Sequence, residues 1–184
     1  MEKIDSKIIS SEAAKTALVF GAISGGYIFI SQLLAQAESQ LLVSAVSGIL
    51  WLGKLVGCIL LMRFFMKKLL GSYEGVSRQN LLAYGTQIAL FSAIITAACS
   101  YIAVQYVFPG QTKDIFDTFG VYIRNNGMMD SNSLAQLDKM EGNFGVICLV
   151  SNLIWCFVYG WILSSIMSSS LVRKKNIFDD DDDI

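Results

Sequence analysis

Between Leu41 and Met62 the chain reads LLVSAVSGILWLGKLVGCILLM. At a rise of 1.5 Å per residue this run makes a helix about 33 Å long, enough to cross a hydrocarbon layer of about 30 Å. One ionisable residue, Lys54, interrupts it. A backbone exposed to lipid must bond its own N–H and C=O groups, and the ten-residue alternation of a β-barrel is absent, so helix is the open-ended solution. Working outward, three more such runs appear, from Thr16 to Leu34, Gly85 to Phe108 and Phe144 to Ser168. None contains Asp, Glu, Lys or Arg. The reading is an all-α integral membrane protein: a four-helix transmembrane bundle in one domain over 1–176, with spans at about 16–34, 41–62, 85–108 and 144–168.

Composition agrees. The chain has 184 residues, 54% hydrophobic and 16% charged, against about 45–50% and about 25% in soluble domains. Its 14 Lys and Arg nearly balance 15 Asp and Glu, which removes the basic excess of a nucleic-acid binder. With no histidine, Ser-His-Asp triads, HExxH zinc sites and His-ligated haem are excluded. Cys58, Cys99, Cys148 and Cys156 all lie in spans without metal spacing and read as reduced packing residues. Gly25-Gly26 and the Gly71 to Gly75 stretch lack the lysine and the strand-to-helix context of a phosphate loop. Asp114, Asp117, Asp130, Asp138 and Glu141 match no hydrolase or metal motif. No catalytic, cofactor or metal site is expected, and the chain reads as non-enzymatic.

The cations set an orientation. Lys3, Lys7 and Lys15 precede the first span, Arg63, Lys67, Lys68 and Arg78 join the second to the third, and Arg173, Lys174 and Lys175 follow the fourth. Only Lys113, Arg124 and Lys139 belong to the other side. Both termini are therefore expected in the cytoplasm. A signal peptide ending at Ala35-Gln36-Ala37 is the rival reading of the first run. The acidic residues Glu2, Asp5 and Glu12 and an apolar run longer than the usual h-region favour an uncleaved helix. Arg63, Lys67 and Lys68, interleaved with Phe64 and Phe65, suit anionic headgroups.

In lipid, helices associate through small residues and interhelical hydrogen bonds. Gly21 and Gly25, Gly53 and Gly57, Ala89, Ala93 and Ala97, and Gly160, Ser164 and Ser168 give each span a smooth stripe. Packing within one chain and a stripe facing a second copy are both open. Gln32, Gln87, Gln105 and Asn152 are candidates to bridge helices, at about 1 kcal/mol each.

Lys54 is the strongest anomaly, because a charge at the centre of a span costs about 2.5–3.5 kcal/mol on insertion scales. It lies about 12 Å along the helix from Met62, deep for snorkelling. Ser24, Tyr27, Ser92 and Thr96 are its expected neighbours at that depth. Either it snorkels or bonds structurally, or it lines a polar cavity for an anion or a proton. Trp51 and Trp155, also near mid-span, would face each other or acyl chains.

Between the third and fourth spans Pro109-Gly110 stops the helix, and Ile115, Phe116, Phe119, Tyr122 and Ile123 repeat at helical period. After a turn at Asn125-Asn126-Gly127, Ser133 and Gln136 form a capping box for a second short helix presenting Leu134, Leu137 and Met140. A small helical extracytoplasmic cap is expected. The Asp179 to Asp183 run makes 177–184 a disordered acidic tail.

Four spans, a basic hairpin reading Lys67-Lys68-Leu69-Leu70-Gly71-Ser72-Tyr73-Glu74-Gly75-Val76-Ser77, a third span closing in Tyr106-Val107-Phe108-Pro109, an acidic amphipathic outer segment and a serine-rich last span before Arg173-Lys174-Lys175 resemble the bacterial membrane proteins called domain of unknown function 4199. The resemblance covers most of the chain. It implies a bacterial inner membrane protein of uncharacterised activity and transfers no site residues. The acidic tail and Lys54 depart from that pattern. The expected function is a non-enzymatic scaffold or accessory subunit, with a small oligomeric transporter or channel component using Lys54 as the alternative.

Overall fold

A computed structural model describes residues 2–36, 40–125 and 131–179. Six helices carry the chain: α1 (Ser6–Leu34), α2 (Gln40–Ser72), α3 (Arg78–Ile102), α4 (Pro109–Asn125), α5 (Ser131–Gly142) and α6 (Phe144–Asp179). Four of them, α1, α2, α3 and α6, are long and apolar enough to cross a membrane. The all-α architecture and the four spans stand as read from the sequence, and the chain is a multi-pass membrane protein.

The helices outrun the apolar runs. Helix α1 starts ten residues before Thr16, and α2 continues ten residues past Met62. At 33 residues α2 is about 50 Å long, so roughly two-fifths of it lies beyond a core of about 30 Å. That surplus carries Arg63, Lys67 and Lys68, all exposed. We call this the basic end of the bundle. Helix α6 runs to Asp179, so the acidic tail expected from 177 is helical over its first three residues; 180–184 lie outside the described residues.

Local chemistry sets the starts and stops. Asp5 caps α1, its Oδ1 accepting from the Ser6 amide at 2.6 Å, and Ser77 caps α3 by accepting from the Asn80 amide at 3.2 Å. Between α2 and α3 the chain turns through Gly75 at φ +72, a conformation glycine adopts without a steric penalty. A two-residue parallel pairing that sequence periodicity cannot show joins β1 (Glu2–Lys3) to β2 (Tyr73–Glu74), tying the N-terminal segment to this turn. At the far end α3 loosens into a π-helical turn over Ala103–Val107, closed by the Phe108 amide donating to the Ala103 carbonyl at 2.8 Å. It ends there because Pro109 disfavours helical backbone at the residue before it.

The segment between α3 and α6 forms two helices, as expected, but α5 begins at Ser131, two residues before Ser133. Ser133 therefore lies inside the helix and not at the N-cap position that the capping box requires. The expected turn at 126–127 lies outside the described residues. Phe116 packs edge-on against Phe144 at 5.2 Å, and Gln111 Nε2 donates to the Gln32 carbonyl at 2.9 Å. These contacts hold α4 to the bundle while Ile115, Phe119 and Tyr122 remain exposed.

Helix α3 is the axis of the bundle, with α1 along one side and α6 along the other. Three predicted stripes make this approach. A Cβ added at Gly21 would stand 2.7 Å from Ile95, and one at Gly25 would stand 2.8 Å from Cys99 Sγ. One at Gly160 would meet Ala89 Cβ at 2.6 Å, and Ala89, Ala93 and Ala97 are buried. Gly85 is crowded from two helices, by Met66 on α2 and Ser164 on α6, each 2.5 Å from an added Cβ. Polar ties follow the same seams. Thr16 and Tyr84 share a buried hydroxyl hydrogen bond of 2.8 Å between α1 and α3, and Asn152 Nδ2 donates to Ser100 Oγ at 3.0 Å between α6 and α3.

Helix α2 joins this trio only at its basic half. Met62, Met66 and Leu69 are buried, whereas Val46, Ile49, Trp51, Leu52 and Val56 are exposed. The fourth predicted stripe is not used within the chain: around Gly53 and Gly57, and around Gly48, nothing lies within 4 Å of an added Cβ.

Candidate functional site

The divergence of α2 from α3 leaves a cleft at mid-membrane, and Lys54 stands in it. The cavity holds about 190 Å³ and is bounded by all four spans, with Ser24 from α1, Trp51, Lys54 and Cys58 from α2, Ser92 and Thr96 from α3, and Trp155 from α6 among its walls. Every neighbour expected for Lys54 is at this place. Its Nζ lies 4.6 Å from the centroid of the Tyr27 ring, within the range at which a ring face attracts an ammonium. Ser24, Ser92 and Thr96 face the same space.

The hydroxyls offer the ammonium acceptors. Thr96 Oγ1 donates to the Ser92 carbonyl at 2.8 Å and Ser92 Oγ donates to the Ala89 carbonyl at 3.2 Å. Each hydroxyl proton is thereby spent on its own helix, and the oxygen lone pairs are left for the cavity. Among the described residues no carboxylate lines it, and none pairs with Lys54. A cationic, hydroxyl-walled recess thus sits in an otherwise apolar bundle, and among the described residues no carboxylate lines it.

Trp51 and Trp155 both belong to this cavity, 52% and 76% exposed, and so form its rim toward the acyl chains. Their mid-span position was legible in the sequence; that they flank one opening was not. Cys58 and Cys156 line the cavity, and all four cysteines are free.

The other polar candidates divide. Asn152 bridges helices as expected, whereas at Gln32 it is the backbone carbonyl, a group every residue carries, that accepts from Gln111. Gln105 packs against α6 beside Gly145. At Gln87 the side-chain Oε1 is buried without a hydrogen-bond partner. Among the described residues no group of three His, Cys, Asp or Glu side chains converges on a metal position.

The residues that form Lys54's surroundings come from four helices and run from Ser24 to Trp155 in sequence, which no local motif signals. The only sequence cue was the charge itself, with hydroxyls at matching depth. Compared with known protein families, with curated proteins and with solved structures, the chain matches none, so the likeness to domain of unknown function 4199 rests on the order of spans and loops alone.

Proposed function

We propose that this chain is a non-enzymatic scaffold or accessory subunit of a bacterial inner membrane, with both termini in the cytoplasm, and that it assembles through the outer half of α2. One observation carries the reading. Gly21, Gly25, Gly85 and Gly160 are each closed over by a neighbouring helix, while Gly53 and Gly57 form the same small-residue spacing and meet nothing. In lipid such a smooth face gains its attraction from close backbone approach by another helix, and the GxxxG spacing is self-complementary. A second copy of this chain is the simplest occupant. The ten cations gathered at one end support the orientation, and exposed Arg63, Lys67 and Lys68 beside exposed Phe64 support contact with anionic headgroups there.

The test is the mass of detergent-solubilised protein. Wild type is expected at twice the chain mass of 20.2 kDa and Gly53→Leu at one chain. A wild-type monomer, or a dimer indifferent to Gly53→Leu, would refute assembly through this face.

The cavity around Lys54 favours a second reading, a component of an oligomeric transporter or channel. Cys58 reports on it directly, since it lines the same cavity. In a chain retaining Cys58 alone, labelling by a membrane-impermeant thiol reagent would mark a water-filled route; protection would leave the scaffold reading.

A further inference from the structure

We infer that the Lys54 cavity is a binding site for the carboxylate of a single-chain acidic amphiphile of the fatty-acid type, whose tail leaves between Trp51 and Trp155 into the bilayer. This stands apart from assembly through Gly53 and Gly57, which lie about 100° round the helix from Lys54 and Cys58.

Charge is the first argument. The Lys54 ammonium meets an aromatic face at 4.6 Å and the hydroxyl-bearing walls of Ser24, Ser92 and Thr96, yet among the described residues no carboxylate lines the recess. Ring quadrupole and hydroxyl dipoles orient a cation but do not neutralise it. A charge in a low-dielectric site calls for an opposite one, and here the ligand is the remaining source.

Size and depth narrow the ligand. A cavity of about 150 Å³ admits a molecule as large as benzene, so 190 Å³ admits a carboxylate with a few methylenes. The phosphates of bilayer lipids lie outside the hydrocarbon core, about 15 Å or more from its centre, whereas Lys54 is the fifteenth residue of the 33 in α2. A single-chain acid can reach that depth, because its one carboxylate is carried on a flexible tail that stays in the hydrocarbon, and a neighbouring ammonium favours its ionised form.

The opening completes the fit. The two exposed tryptophans flank the recess, and the outer half of α2 stands away from α3 and α6. A tail continuing from the carboxylate therefore runs past indole surface into lipid.

The same tryptophans supply the assay. In full-length Trp161→Phe protein in a maltoside micelle, Trp51 and Trp155 are the remaining indoles, and a dibrominated stearate quenches those it touches. Saturable quenching is expected with the acid, and binding about tenfold weaker both for its methyl ester and for the acid with Lys54→Met; tenfold corresponds to about 1.4 kcal/mol. Lys54→Arg should retain most of the affinity. Equal quenching by acid and ester on the unaltered Lys54 protein would overturn the proposal without reliance on any variant at that position, as would undiminished acid binding by a folded Lys54→Met.

Discussion

Helix α1 and the outer half of α2 carry the same motif and meet opposite fates. Gly21 and Gly25 are pressed onto Ile95 and Cys99 of α3, while Gly53 and Gly57 face open space. The contrast teaches that a small-residue stripe is a capacity for close packing, and that its neighbours on the helix decide whether it is used. On α1, the flanking residues that turn inward with the glycines include Ala17 and Phe20, both apolar and buried. On α2, Lys54 and Gly53 are adjacent and about 100° apart, so both cannot face α3. Leaving the ammonium in lipid costs about 2.5–3.5 kcal/mol, whereas interhelical contacts in membranes average well under 1 kcal/mol apiece. Lys54 takes the inward face, toward the cavity, and the glycines are turned out.

The largest effect should come from filling the closed region. Gly160→Leu must displace Ala89, whose Cα is only 3.2 Å from an added Cβ, and overpacking on that scale destabilises by about 3 kcal/mol. Reversible unfolding in mixed micelles should show it. The same substitution at Gly53, followed on monomeric protein, should change stability by less than about 0.5 kcal/mol. Comparable losses at the two sites would erase the distinction between the regions.

Next in size is the buried hydroxyl pair. Tyr84→Phe leaves Thr16 Oγ1 without its partner and should cost about 1 kcal/mol, with little further loss on adding Thr16→Val, since the pair acts as one unit. Additive losses in that double-mutant cycle would mean that the 2.8 Å contact does not couple α1 to α3.

Smaller again is Asn152→Leu, which removes the bond to Ser100 and should cost about 0.6 kcal/mol, the average for such bonds in a bilayer. Gln87→Leu should run the other way and be neutral or slightly stabilising, because its buried Oε1 has no partner to lose. A clear loss at Gln87 would place a bond there that the packing does not contain.

Much of the fold was legible because lipid imposes one demand, a long uncharged run, and the four runs answer it. The extensions of α1 back to Ser6 and of α2 on to Ser72 were not, since beyond the hydrocarbon a helix is chosen by capping and packing, as Asp5 and Met66 show, and not by hydropathy. Ser133 misled because a capping box looks the same inside a helix as at its start. For the site, Lys54 and its depth were readable, and so were the hydroxyls able to reach it. The direction in which α2 turns its two competing faces was hidden, because it depends on energies shared among four helices.

The division into a closed trio and an open α2 is tested most directly by the chain's own cysteines. A Cβ at position 25 lies 3.3 Å from Cys99 Cβ, close to disulfide geometry, whereas position 53 has no neighbour within 4 Å. On mild oxidation in membranes, Gly25→Cys should form an internal disulfide with Cys99, and Gly53→Cys should form none with Cys58, Cys99, Cys148 or Cys156. An internal disulfide from position 53, or a Gly25→Cys thiol that stays free, would contradict the account.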